Sequence, residues 1–513
     1  MSLLHAVTSN PASKRHAVRA HRWLAFCLPL LLTLALFAPV ALQSQGFDDE
    51  MANMELIEHL GTWPTVALMQ TEDVHPPGGY LLNGLLFDAL HDWSLVRGVS
   101  ALLYALSVAW LVQATFVRQG PRAAGLALLF ALLSPAALMW CTSLRWYAYF
   151  VPLWIWALVT PERPDGLWYA SKPALAWWLM ACINYAALIL APVLMLWYGL
   201  HAGMPLRTLV RRSLWPWLLA TLAYAPQFYV FLTVHSQHAE GQAGGLLKAL
   251  VGCVIGLASN QGLFPLSGWG VASILASCAL LAMLLRQARH QTTWRSILWP
   301  LGAAIGAFVV TGLAGKFRNL VLISPMQAML MGRASTFVIR NKWAMACTAV
   351  LLLANAAGCL HVAQHRDTAK NGWNLPVADV VAGVHTMRTG CTGQTAVYTF
   401  DPVLARALRL SDARIMVGNY FARFDKVQPA ATDCAIVIMT YKGALPAERF
   451  DALRQAMQHV GGTQARKLQI QRDEQAALKR KLDPDFPDYV VELQLFQGQL
   501  DLSALNAWAS SRR

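Results

Sequence analysis

Charged side chains are what this sequence has least of. Asp, Glu, Lys and Arg together make up 13% of its 513 residues, about half the share of an average soluble domain. Hydrophobic residues make up 56%, and the mean hydropathy is +0.41. A chain so poor in charge, with apolar runs of span length, reads as a polytopic membrane protein and not as a soluble one. Acidic residues are the scarcer sign, 27 against 41 Lys and Arg, for a formal net charge of +14. The excess does not point to nucleic acid, because there is no basic stripe with interleaved aromatics and no recognisable reader module. The cations instead occupy short links between apolar runs, as the positive-inside rule expects. Cys-x-x-Cys and His-Glu-x-x-His strings are lacking, which leaves no zinc pattern.

The links set a topology. Lys14, Arg15, Arg19 and Arg22 precede an apolar run over 23–42, which places residues 1–22 in the cytoplasm and sends the first loop outward. The run lacks a small-x-small cleavage site and reads as a retained helix rather than a removed signal peptide. Inside links at Arg118 and Arg122, Arg163, Arg207 to Arg212, Arg286 to Arg295, and Arg340 with Lys342 then outline about eleven spans in a transmembrane domain over 23–362. Among them are spans at 123–140 and 146–160 and a pair made by splitting 173–205 near Asn184. Residues 76–91 and 246–266 suit juxtamembrane helices better than crossings. Beyond 363 charge rises and apolar runs shorten to strand length. The expectation for 363–513 is an outward-facing soluble α/β domain with strands at 395–400 and 435–440, the first followed by a helix over 402–410, and a further helix over 446–460.

Seven of the nine cysteines lie in or beside spans, where a thiol acts as a small apolar filler. Cys391 and Cys434 fall in the outward domain, and an oxidising compartment permits a disulfide between them; spacing alone leaves that open.

Against this apolar background a few ionisable residues stand out. Asp48, Asp49 and Glu50 follow the first span directly, in what reads as a short loop. Carboxylates held against a bilayer are costly to desolvate and so mark a functional-site hypothesis, with a solvated interfacial loop as the alternative. Glu72 and Asp73 lead into His75-Pro76-Pro77 at the start of the first juxtamembrane helix. Arg145, Lys316 and Arg318 all map to the outer face, where each taken alone also fits a snorkelling interfacial residue. Tyr147 and most of the twenty tryptophans fit interface belts and packing. His235 and His238 lack a third ligand, so no metal site is assigned.

The order of these elements resembles the GT-C-type glycosyltransferases. It is most similar to the branch that uses polyprenyl-phosphate sugars, which includes protein O-mannosyltransferases and the aminoarabinose transferases of lipid A. Asp49 and Glu50 match that family's external acidic pair; Asp73, His75, Pro76 and Pro77 match its Asp-x-(His or Lys)-Pro-Pro entry to a juxtamembrane helix. Ser143-Leu144-Arg145-Trp146-Tyr147 keeps the Arg and Tyr of a Glu-Ala-Arg-x-Tyr element but has Ser-Leu where the family has Glu-Ala, which puts the role of that acid in doubt. Gly315-Lys316-Phe317-Arg318-Asn319 is similar to a basic external Lys-x-Arg-Tyr turn, with Asn319 in place of Tyr. The resemblance spans about residues 20–362 and lies in the order of the motifs rather than in any single string.

The resemblance implies an inverting transfer of a sugar from a polyprenyl-phosphate donor to a lipid, glycan or protein acceptor, on the periplasmic face of a bacterial inner membrane. Asp49 is then the candidate general base, with Glu50 positioning or sharing that role. Asp48 and Asp73 are secondary candidates. His75, Arg145, Tyr147, Lys316 and Arg318 are candidates for binding the donor phosphate. Two adjacent acids serve equally as a base or as a divalent-cation site, and no cofactor is assigned. The placement in bacteria rests on the short amino-terminal tail and on the lack of an endoplasmic-reticulum retention string, and an endoplasmic-reticulum protein stays open as the alternative. Two other classes stay open: a transporter or flippase of lipid-linked sugars, and a non-catalytic scaffold for envelope assembly. The first calls for inverted repeats and ionisable groups near span midpoints, whereas here charge gathers at span ends on one face and no repeat is evident.

Overall fold

Helix length decides which of the apolar runs can cross a bilayer. The structure, a computed structural model, describes residues 11–44, 48–72, 75–160, 167–203, 205–235, 268–288, 292–311, 317–369, 377–399, 401–419, 432–441, 447–470 and 490–510. It divides into two compact units, one of residues 1–44 and 62–366 and one of residues 45–61 and 367–513.

The first unit is helical. Among the described residues five stretches are long and apolar enough to cross a membrane: Ala20–Gln43, Trp93–Gln119, Arg207–Val234, Gly268–Ala288 and Lys342–Gln364. Shorter apolar helices accompany them at Pro121–Leu132, Tyr147–Leu158, Ala186–Ala202 and Leu298–Val310. Helix α1 (Pro11–Gln43) lies along α5 (Trp93–Gln119), where Phe37 stacks on Tyr104 with centroids 4.8 Å apart. Between them in sequence come α2 (Asp48–Leu60), which belongs to the second unit, and α3 (Thr62–Glu72) and α4 (Gly78–Leu90).

The stretch over 123–140, expected as one span, is two helices, α6 (Pro121–Leu132) and α7 (Pro135–Trp140). Ser134 caps α7 by accepting from the Ala137 N–H at 3.3 Å, and Pro135 at its first position has no N–H to continue the helix before it. All six residues of α7 are buried, so this broken backbone is covered by protein. The next expected span is the twelve-residue α8 (Tyr147–Leu158). Helices α9 (Leu167–Ala181) and α10 (Ala186–Ala202) divide at Asn184, whose side chain accepts from the Ala186 N–H at 2.8 Å.

Helix α11 (Leu206–Val230) runs into a wide turn over Phe231–His235, and α12 (Gly268–Ala288) and α13 (Thr292–Val310) follow. The proposed juxtamembrane segment 246–266 lies outside the described residues. A 3₁₀ turn, Phe317–Ile323, leads into α14 (Ser324–Arg340), and α15 (Lys342–Ala369) closes the unit. Helix α14 packs on α6 through Gly332, where a Cβ would stand 3.0 Å from the Ala123 carbonyl oxygen; a small residue lets two helices approach this closely.

The second unit is α/β. Its sheet has the order β2-β1-β3-β5-β4, from β1 (Thr395–Thr399), β2 (Ile415–Asn419), β3 (Cys434–Tyr441), β4 (Thr463–Ile470) and β5 (Val490–Gln497). Strand β1 runs parallel to β2 and β3, and β5 is antiparallel to β3 and β4. Alternation along the strands feeds two cores. Val397, Ile436, Ile438 and Leu493 meet Val380, Val384, Leu404 and Leu408 of α16 (Val377–Met387) and α17 (Pro402–Ser411). Tyr398, Val437 and Phe496 meet Leu453, Leu505 and Trp508 of α18 (Ala447–Gln458) and α19 (Ser503–Ser510). The edge strand β4 is exposed, with a bulge between Gln464 and Arg466 and the cations Arg466 and Lys467, devices that discourage pairing with another chain. Cys391 and Cys434 form the disulfide that spacing left open.

Candidate functional site

Residues singled out in the sequence fall in both units, and each group is built within its own. In the second unit, Asp48, Asp49 and Glu50 are not loop residues: they form the first turn of α2. The stretch from Asp48 to Leu60 contains no Gly or Pro and is rich in Glu, Met and Leu, which favour helix, and acids at a helix N-terminus interact well with its dipole. Gly61 ends the helix at φ +81°, with its N–H donating to the Ile57 carbonyl at 2.9 Å, a conformation glycine adopts without strain. Glu50 is fully buried, as are Met51, Met54 and Ile57 along the same helix.

Helix α2 packs on α17, and the contact is ionic. Arg406 Nη2 donates to Glu58 Oε1 at 2.8 Å and Nη1 to Glu55 Oε1 at 3.3 Å, while Nη1 also donates to Glu58 Oε2, completing a two-pronged pair. Arg409 Nη2 pairs with Glu55 Oε2, and His59 Nε2 lies 3.2 Å from the same oxygen. Arg406 and Glu55 are each 8% exposed. Burial works against the Arg406 charge, but the hydrogen bonds and charges of Glu58 and Glu55 outweigh it and hold that guanidinium above its ordinary range. The spacing explains the fit, because Glu55 and Glu58 are three apart on one helix, Arg406 and Arg409 three apart on the other, and residues three apart share a face. None of these four stood out in the sequence. The pairs join positions 348 and 351 residues apart, a match that no local pattern reveals.

In the helical unit, the turn at His75-Pro76-Pro77 enters α4 at Gly78. The Gly78 N–H donates to the Cys182 carbonyl at 3.1 Å, and a Cβ on Gly78 would stand 2.3 Å from that oxygen, so only glycine allows this docking. The Asn184 side-chain Oδ1 accepts from the Ala186 N–H, which turns its amide N–H₂ toward His75 Nδ1, 3.2 Å away. The neutral His75 ring then carries its proton on Nε2. His75 faces Trp146 at 6.3 Å between ring centroids, and Trp146 stacks on Tyr147 at 3.7 Å.

Arg145 is half-buried in the 141–146 connection between α7 and α8. Asn83 pins that connection: its amide donates to the Leu144 carbonyl at 2.7 Å, and its own oxygen accepts from the Tyr149 hydroxyl at 2.6 Å. Ser143, at the position where the resembled family has Glu, is fully buried. Its hydroxyl donates to the Trp140 carbonyl at 2.7 Å and accepts from the Arg145 N–H at 3.3 Å. The hydroxyl thus shapes the turn that presents Arg145. The Tyr147 hydroxyl donates to Asn319 Oδ1 at 2.8 Å, and Trp154 Nε1 donates to the Leu322 carbonyl at 2.8 Å. His75, Arg145, Tyr147 and the turn carrying Arg318 and Asn319 are thereby brought into one neighbourhood. Asn83, Asn184 and Asn319 hold it together. Asn184 marks its turn in the sequence, whereas Asn83 carried no signal as an isolated polar letter in an apolar helix.

Lys316 and Asp73 lie outside the described residues, as does His238. Among the described residues no group of three or more His, Cys, Asp or Glu is placed to hold a metal ion.

No model of a protein family and no curated protein sequence matches the chain. Solved structures do. The apo crystal structure of ArnT from Cupriavidus metallidurans aligns with 93% of this chain and 98% of its own at 14% identity, with a TM-score of 0.50. The chain has the fold of ArnT. ArnT is an aminoarabinose lipid A transferase of the GT-C class. The crystal structure of the same protein bound to undecaprenyl phosphate aligns with 92% of this chain and 97% of its own at 12% identity, with a TM-score of 0.49.

Proposed function

We propose that the protein is an inverting glycosyltransferase that moves a sugar from a polyprenyl-phosphate donor to a lipid, glycan or protein acceptor at the periplasmic face of a bacterial inner membrane. The observation that carries the reading is the ArnT fold, which extends over nearly the whole length of both chains. The order of the acidic pair, the His-Pro-Pro entry and the Arg-Trp-Tyr connection along that fold supports it. The disulfide between Cys391 and Cys434 suits an oxidising compartment and so an outward placement of the second unit. The basic links between apolar runs agree with that orientation.

In this reading Asp49 takes the proton from the acceptor hydroxyl as its oxygen attacks the anomeric carbon, and Glu50 orients Asp49 or the acceptor. The bond from that carbon to the phosphate oxygen breaks, and its electron pair leaves on polyprenyl phosphate. Charge grows on the phosphate in the transition state, where fixed cations act most strongly. Arg145, Lys316 and Arg318 supply them, with His75 Nε2–H as a further contact, while Tyr147, whose hydroxyl donates to Asn319, aligns the turn that carries Arg318. The rigid Asn83 bridge holds Arg145 ready, so little reorganisation is needed when charge appears.

The test uses full-length protein in vesicles supplied with a mixed pool of radiolabelled polyprenyl-phosphate sugars and membrane extract as acceptor. Label moving into an acceptor, with release of polyprenyl phosphate, is the expected result. Donor recovered intact on the opposite leaflet, with no transfer, would instead identify a transporter.

A further inference from the structure

The arginine pair on α17 grips the helix that carries the candidate acids. Helix α2 carries Asp49 and Glu50 at its head and Glu55 and Glu58 further along, and at a rise of about 1.5 Å per residue Asp49 lies about 9 Å along the axis from Glu55. Over so short a distance a helix moves as a rod, so whatever sets the tilt and rotation at Glu55 and Glu58 also sets the head. Two features make Arg406 suited to that task. Its guanidinium grips both oxygens of Glu58 while reaching Glu55, and a planar fork fixes rotation as well as distance. It is also largely shielded from water, where such pairs are little screened. Arg409 secures Glu55 from one turn further along α17.

We propose that Arg406 and Arg409 are positioning residues for sugar transfer, holding the acids of α2 in register through Glu55 and Glu58. The inference rests on the reading of Asp49 and Glu50 as the reacting acids. It assigns the C-terminal unit the task of aligning the base rather than binding the donor. A shift of about 1 Å in a reacting group costs on the order of 100-fold in rate, so loosening the pairs acts on turnover.

The experiment compares wild type, Arg406→Gln/Arg409→Gln, Arg406→Lys, Arg406→Glu, the charge swap Arg406→Glu/Glu58→Arg, and Asp49→Asn, all full-length and in nanodiscs, with kcat and KM measured for a polyprenyl-phosphate sugar. The double Gln variant should lose about 10- to 100-fold in kcat with KM for the donor within twofold of wild type. Arg406→Lys keeps the charge without the fork and should fall between, which serves as the readout if the double variant is too unstable to purify. The charge swap should recover at least about fivefold over Arg406→Glu alone, a rescue that general destabilisation does not give. Inactive Asp49→Asn beside arginine variants with wild-type kcat overturns the positioning role alone. Asp49→Asn with wild-type activity overturns the reading of the acids and the positioning role with it. A rise in donor KM that matches the fall in kcat/KM, with no rescue by the swap, also overturns the inference.

Discussion

Replacing Arg406 with Met should free helix α2 while leaving the sheet that carries α17 intact. Arg406 is 8% exposed, and its loss leaves two carboxylates, with side chains 11% and 28% exposed, facing an apolar group. Breaking a buried ion pair by removing one partner costs about 3–5 kcal/mol. Two features lower that figure here: Arg409 remains to pair with Glu55, and water reaches Glu58. A local cost of about 2–3 kcal/mol follows. Amide exchange through local opening scales with the opening constant, and each 1.4 kcal/mol is about tenfold. The amides of α2 should therefore exchange about 30- to 160-fold faster in Arg406→Met, read by hydrogen–deuterium exchange mass spectrometry of the full-length protein in nanodiscs. Peptides of β1 and β3 should keep their wild-type protection. Adding Glu58→Met removes the stranded charge and should return much of the lost protection. Unchanged exchange over α2 in Arg406→Met, or equal loss of protection across the sheet, would refute the reasoning.

Three further outcomes follow from the same structure. Asn83→Leu strands the Leu144 carbonyl, at about 1–3 kcal/mol for a buried group left unsatisfied, and leaves the Tyr149 hydroxyl with Ser100, so the detergent-solubilised protein should melt at a lower temperature and transfer more slowly; an unchanged melting temperature would show that the bridge is not formed. The disulfide closes a loop of 43 residues in sequence separation, worth up to about 4 kcal/mol by loop entropy. Cys391→Ser/Cys434→Ser should therefore unfold the second unit at lower denaturant, and a variant as stable as wild type would refute this. Asp412 is held well below the usual carboxylate range by hydrogen bonds from the Arg414 side chain and backbone and from Arg388. Its contribution is therefore fully present above the unfolded carboxylate pKa of about 3.9 and is lost as pH falls further. Acid unfolding of the second unit below pH 4 should begin at higher pH, or be replaced by a lower plateau at neutral pH, in Asp412→Asn, and identical acid titrations would contradict the assignment.

Much of the fold was legible because apolar runs and turn residues act locally. Ala396 to Tyr398 and Ala435 to Met439 read as strands because buried β residues cluster there, and Asn184 announced its turn because an amide side chain replaces backbone hydrogen bonds. Within the span expected over 123–140, the Ser134-Pro135 pair starts a separate buried helix, a break that the apolar run around it conceals. The position of the acidic segment directly after a span suggests a loop, whereas the helix formers that follow it carry the segment into α2. Of the site, the sequence offered the candidate residues but not what orients them. Asn83 meets Leu144 across 61 positions and Tyr147 meets Asn319 across 172, contacts fixed by how the helices pack. The arginine pair on α17 was hidden for the same reason, since the amphipathic pattern of 402–411 reveals a helix but not which acidic helix lies against it.

The most direct test of the central claim is sugar transfer by wild-type and Asp49→Asn protein, reconstituted at matched amounts with a radiolabelled polyprenyl-phosphate sugar and acceptor. The account expects wild type to label the acceptor and release one polyprenyl phosphate per sugar moved, and Asp49→Asn to be slower by at least about 100-fold while still binding the donor. Wild-type rates from Asp49→Asn would contradict it.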